Sequence, residues 1–406
     1  MKRNNKIIYK NSINKKHLKL KFKKKLNHSF HKIFEKVYKN LNNVEDSFHT
    51  LSKKFSLNFK ISSLREFKKF KTIIVVGMGG SSLGSEAIYS FLTKKIKKKF
   101  IFLNTLDEDM NEKIKKIKDK EKKLFIIISK SGNTIETISN CLELNVFKKN
   151  SKNVILISEK GNNSIYRLSR KLNLFHIEHK KYIGGRYSVL SEVGLVPAYL
   201  MGINILKLRK NLLVHFSSTS KKFLQDSTTL LANIIQNKKI SSLVILNYFP
   251  ALNKFLIWYQ QLISESLGKS GKGLLPIISP APKDHHSLLQ LYLDGPKDKL
   301  FYIFSSQTEQ YTKLNPKIFG KEYNFLKNKN FNQIRIAQKN ALIRSLKKRD
   351  IPLREFFIKD VSEEILGELF SYFILETAIT GYLININPFN QPSVEQVKID
   401  TKKFLS

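Results

Sequence analysis

The sequence predicts an α/β fold. Short apolar, β-branched runs recur between helical stretches, the runs stay apolar throughout, and two of them lead through loops of small polar residues straight into helices. A strand buried on both faces reads this way, as in a parallel sheet covered by helices on either side.

The elements follow in order. After a basic N-terminal arm, Phe30, Ile33, Phe34, Val37, Tyr38 and Leu41 recur at helical spacing with lysines between, so one amphipathic helix is expected. Residues 72–76 (TIIVV) make a strand, followed at once by GMGGSSLGS and a helical pattern through Ala87, Ile88, Phe91 and Leu92. Apolar runs at 100–103 (FIFL), 124–128 (LFIII) and 154–157 (VILI) alternate with helical stretches and complete a first sheet. Gly194 to Asn237 reads as mainly helical. The alternation then resumes: a strand at 243–246, a helix carrying Trp258, a strand at 300–304, a helix around Ile334–Leu346, a strand at 353–358 and a helix over 362–382. Pro388 and Pro392 break the pattern before a short tail. The chain accordingly divides into a basic arm and helix (1–55), a first unit (56–205), a second (206–385) and a tail (386–406).

Composition narrows the function classes. With 406 residues, 41% hydrophobic and 11% aromatic, the chain can bury two or three cores. No apolar run approaches the roughly 18 to 20 residues of a membrane span, and no secretory segment opens the chain, so a cytoplasmic protein without membrane contact is expected. The single cysteine, Cys141, excludes an internal disulfide framework and reads as a buried structural thiol. A formal charge of +41, from 73 basic and 32 acidic side chains, would ordinarily suggest nucleic acid. Against that, lysine far outnumbers arginine, Lys, Asn, Ile and Phe are raised together along the whole length, and the basic residues are not interleaved with stacking aromatics. No nucleic-acid partner is expected. Met1–Lys25, with eleven Lys or Arg and no acid, is read as a solvated arm.

Three stretches carry chemistry. In Trp258–Lys269 (WYQQLISESLGK), Trp258, Leu262 and Leu267 recur at roughly helical spacing, and Gly268 is expected to end the helix in a left-handed conformation. Glu265 is a candidate base; its plain alternative is a solvated pair with Lys269, four residues on. The loop Gly77–Gly84 joins a strand to a helix, where backbone N–H groups face an anion. It lacks dinucleotide spacing, having Ser82 where a third glycine would stand, and no GK[ST] follows. Ser129, Lys130, Ser131, Gly132, Asn133 and Thr134 also join a strand to a helix, and their hydroxyls and ammonium suit a phosphate monoester. A capped helix, with Ser131 or Asn133 as N-cap, is the alternative.

GMGGSSLG, SKSGNTIET, GGRYSVLSEVGL, ESLGK, HHSLLQLYLDGP and NPFNQPSVEQVK occur in the order and approximate spacing of the glucose-6-phosphate isomerase (phosphoglucose isomerase) family, which the chain resembles over residues 72–400. The resemblance implies two sugar-isomerase (SIS) domains, each a parallel sheet between helices, with the site between them. It implies interconversion of glucose 6-phosphate and fructose 6-phosphate through a cis-enediol, in glycolysis and gluconeogenesis. By the same resemblance, Gly80, Ser81, Ser129, Lys130, Ser131 and Thr134 would hold the sugar phosphate. Arg186 would face the reacting carbons, Glu265 would be the base, and Gln261 and Gln391 would contact substrate. His286 and Lys398 would open the ring, with His285 accessory. The histidine would come from a second subunit, implying a homodimer. No cofactor or metal is implied, and no HExxH-type spacing occurs. Ser393 and Val397 stand where the family usually has glycines, and Leu267 replaces a commonly polar residue. Two alternatives remain at this point: a non-catalytic sugar-phosphate sensor, and an isomerase that also accepts mannose 6-phosphate.

Overall fold

Runs that are apolar at every position can be satisfied only when both faces of the strand are covered, and the computed structural model, which describes residues 6–117, 123–307 and 312–406, covers them. Among the described residues ten strands form: β1 (Ile7–Ser12), β2 (Thr72–Val76), β3 (Lys99–Leu103), β4 (Lys123–Ile128), β5 (Val154–Ser158), β6 (Phe175–Glu178), β7 (Ser242–Asn247), β8 (Leu275–Pro280), β9 (Lys299–Ser306) and β10 (Leu353–Ile358). They make two five-stranded sheets, ordered β3-β2-β4-β5-β6 and β1-β10-β9-β7-β8. The first is parallel throughout.

The second is parallel except for β1, which pairs antiparallel with β10 from Ile7 against Ile358 to Ser12 against Leu353. This corrects the reading of the basic arm as solvated: residues 7–12 are an edge strand, with Ile7 buried. Asn11 accepts a hydrogen bond from Arg354, whose guanidinium lies fully buried against Glu376, Tyr302 and the carbonyl of Ser227. A buried guanidinium is tolerated only when its donors are matched, and β1 supplies one of the acceptors. Residues 1–5 of that arm lie outside the described residues.

Alternation along the strands sends side chains to two different cores. Ile73 and Val75 of β2 join a large central cluster, with Leu243 and Ile245 of β7; Ile74 and Val76 pack on the far side of the first sheet, and Val244 and Leu246 on the far side of the second. The central core therefore belongs to both sheets. The helix Leu83–Phe91, which follows β2, packs there against the helix Asn253–Leu267, which follows β7. Both helices start where a parallel strand ends, so the loops at the carboxyl ends of β2 and β4 are brought toward the helix that carries Glu265.

Candidate active site

Within Asn253–Leu267, Trp258, Leu262, Ser266 and Leu267 are buried, which leaves Gln261 and Glu265 together on the half-buried face. Gln261 Nε2 donates to Glu265 Oε1 at 2.9 Å. The Glu265 side chain keeps 31% of its surface exposed, so one face of the carboxylate stays open. Lys269 does not pair with it as a solvated partner. Gly268 caps the helix at φ −75°, not in the left-handed region; the first left-handed residue is Ser270 at +53°. A Cβ at Gly268 would lie 2.6 Å from the carbonyl of Ser264, which explains the glycine by space and not by φ.

Arg186 sits in a 3-10 turn, Gly185–Leu190, and is 2% exposed. Its Nε donates to Ser266 Oγ at 2.9 Å, and Nη1 to Glu265 Oε2 at 3.1 Å and to Gln391 Oε1. Nη2 donates to the carbonyls of Pro388 at 2.6 Å and Asn390 at 3.1 Å. All five guanidinium donors are thereby used. Trp258 Nε1 holds the Arg186 carbonyl at 3.2 Å, and Tyr187 shares Ser266 Oγ at 2.8 Å, so the turn is fastened to the Glu265 helix at several points.

The two loops close around this cluster. Gly79 has φ +53°, and a Cβ there would come within 2.7 Å of Gln261 Nε2; one at Gly80 would lie 2.2 Å from the carbonyl carbon of Gly185. The glycine loop therefore presses its backbone onto the Arg186 turn, with Ser81 beside it half-buried. In the second loop Ser129 is buried and its hydroxyl meets Thr134 Oγ1 at 2.8 Å, while Ser131 is exposed. Thr134 is the N-cap of the helix Ile135–Glu143 and makes no side-chain capping bond, so neither Ser131 nor Asn133 caps it as the simpler reading had it. Lys130 Nζ lies 3.6 Å from Glu159. Burial lowers the Lys130 pKa first; Glu159 pulls it back up, and the like charges of Arg186 and Lys181 push it down. Lys130 thus lies near enough to Arg186 for the two like charges to oppose one another.

His286 and Lys398 are not brought to this cluster. His286 is exposed, in the 3-10 turn Lys283–His286, and among the described residues no hydrogen bond or ion pair joins it to Arg186, Glu265 or Gln391. His285, behind it, meets the Tyr248 hydroxyl. Lys398 lies on the exposed helix Glu395–Leu405 and pairs with Glu395 at 2.7 Å. Three contributors escaped sequence reasoning: Ser266, Lys269 and the carbonyls of Asn387–Asn390. ESLGK placed the first two beside the base, but nothing in the sequence marks a backbone carbonyl as an arginine's partner.

A family model described as Phosphoglucose isomerase matches residues 11–405. The chain belongs to the phosphoglucose isomerase family. Among its relatives, a probable glucose-6-phosphate isomerase of Methanococcus maripaludis is 32% identical over 354 residues, spanning 84% of this chain and 80% of the relative. The glucose-6-phosphate isomerase of Campylobacter jejuni is 32% identical over 351 residues, spanning 83% and 86%. Solved structures agree on the fold of this phosphoglucose isomerase family member. A hypothetical protein of Thermus thermophilus superposes with a TM-score of 0.80 at 21% identity, covering 98% of this chain and all 100% of that one. A glucose-6-phosphate isomerase of Chlamydia trachomatis gives 0.71 at 20% identity, covering 85% and 72%.

Proposed function

We propose that the chain interconverts glucose 6-phosphate and fructose 6-phosphate. The observation that carries this reading is that one buried arginine nitrogen, Arg186 Nη1, meets both Glu265 and Gln391, in a cleft edged by the two loops. In this reading Glu265 moves the proton between C2 and C1, and Arg186 stabilises the enediolate charge that exists only during reaction. Gln261 and Gln391 orient the hydroxyls. Gly80, Ser81, Ser129, Lys130, Ser131 and Thr134 hold the phosphate at the two helix N-termini. A sensor would need only the phosphate loops, and the Glu265–Arg186 pair would be superfluous to it.

Ring opening falls to His286 and Lys398, which reach the substrate from outside the described cluster. His286 is exposed on one chain and available to a second copy, so a homodimer belongs to the proposal. Lys398 sits on a helix whose residues 395–399 are all exposed, seven residues beyond Gln391. Among the described residues no helix is long and apolar enough to cross a membrane. We place the enzyme in the cytoplasm.

A coupled assay of fructose 6-phosphate conversion tests the reading, with mannose 6-phosphate run alongside to define breadth; no turnover of either sugar would reject it. Thr134→Ala is expected to raise KM about 10-fold with kcat little changed, the cost of about 1.5 kcal/mol for one hydrogen bond to a charged group. Steady-state kinetics at saturating and limiting sugar separate the two constants, and an unaltered KM would remove Thr134 from the phosphate site.

A further inference from the structure

We infer that Lys269 is a positioning residue for the isomerisation: it clamps Asn387–Asn390 against the end of the Glu265 helix and so fixes Gln391 and Arg186 relative to the base. The inference rests on the isomerase reading of this cleft. Lys269 Nζ donates to the carbonyl of Asn387, to that of Asn390 at 2.7 Å and to Asn390 Oδ1 at 3.1 Å. The Asn390 carbonyl is shared, since Arg186 Nη2 reaches it at 3.1 Å, and the next residue, Gln391, accepts from the Arg186 nitrogen that holds Glu265. Two cations from different parts of the chain thus grip one short segment. Arg186 grips it from beneath and Lys269 from the helix end. Releasing the Lys269 contacts leaves Arg186 as the remaining tether of Gln391 among these bonds.

A simple staple between helix and tail would look similar, and the structure contains one for comparison. Lys272 Nζ donates to the carbonyl of Ile384 at 2.8 Å, at the end of the preceding helix, on a group that Arg186 does not touch. Lys269 differs in sharing its acceptor with the arginine and in its electrostatic setting. Burial first, then the nearby charge of Arg186, lowers its pKa to about 8, with Glu265 partly offsetting them. The segment 387–391 facing it carries no titratable side chain. Below about pH 8 the ammonium and its charge-assisted bonds are present; above it the proton is lost and the clamp weakens.

The test is the pH dependence of fructose 6-phosphate isomerisation in three variants, with thermal stability followed in parallel. Lys269→Met is expected to lower kcat about 10- to 100-fold near neutral pH, the scale of a misplaced catalytic geometry, and to abolish the basic limb of the kcat profile near pH 8. Lys269→Arg retains most of kcat and loses the limb, because a guanidinium does not titrate there. Lys272→Met keeps both. A Lys269→Met enzyme with wild-type kcat, or one that loses only thermal stability while the limb persists, overturns the inference. Amide hydrogen exchange of residues 386–391 decides the clamp separately, even for a wild type that turns over no sugar: faster exchange in Lys269→Met but not in Lys272→Met supports it, and unchanged exchange in Lys269→Met rejects it.

Discussion

Glu265→Gln is expected to lower kcat for fructose 6-phosphate by about 100-fold or more while leaving the fold and KM nearly unaltered, which is the effect of removing a positioned general base. The substitution keeps the volume of the side chain and removes only its ability to take a proton. Its surroundings tolerate the change. The new amide oxygen can still accept from Arg186 Nη1, which now stands 3.1 Å from Glu265 Oε2. The new NH₂ group would face Gln261 Nε2, donor against donor. Gln261 Oε1, however, is buried and has no partner among the described residues, so turning the Gln261 amide over offers the NH₂ group an acceptor. A loss of turnover in Glu265→Gln therefore reports on chemistry and not on a disturbed cleft. Coupled-assay kcat with urea unfolding as a control checks it, and near-normal turnover would sink the assignment of Glu265 as base.

How far the fold was legible follows from where each strand lies. Thr72–Val76 was readable to the residue because β2 is central and needs apolar side chains on both faces. The three strands that the pattern missed, β1, β6 and β8, are all edge strands. An edge pairs on one side only and tolerates lysines, a histidine in β6 or the two prolines within Leu275–Pro280, and where it uses that tolerance its signal sinks below that of a loop, whereas the edge strand β3 stays apolar and was readable. The site divides in the same way. Glu265 was visible as a carboxylate near the end of an apolar helix, Gln261 through the family resemblance, and both loops because strand, small residues and helix follow one another. The grip on Asn387–Asn390 was not visible, because its acceptors are mostly carbonyls that every residue possesses. His286 and Lys398 stand apart: both are exposed, and among the described residues neither bonds to Arg186, Glu265 or Gln391.

Arg186→Lys separates charge from geometry at the centre of the cleft. If positive charge alone stabilised the enediolate, lysine would serve nearly as well. The structure argues otherwise, because each of the five guanidinium donors has its own acceptor, and those acceptors come from two separate places: Ser266 and Glu265 on the helix, and the segment that supplies the carbonyls of Pro388 and Asn390 and the Gln391 side chain. A lysine ammonium has three donors at one point and cannot span the fork. With Arg186 only 2% exposed, water cannot readily replace the missing bonds. Turnover is expected to fall about 10²- to 10³-fold, as for loss of a preorganised charge-stabilising donor. Stability is expected to fall by about 1–3 kcal/mol, the cost of breaking part of a buried hydrogen-bond network, because Tyr187 still reaches Ser266 and the Pro388 carbonyl and Lys269 still holds the Asn390 carbonyl. Urea unfolding measures the second effect and kcat the first. An Arg186→Lys enzyme within about 10-fold of wild type would show that charge suffices, and would reduce the fork to a scaffold for the segment Pro388–Gln391.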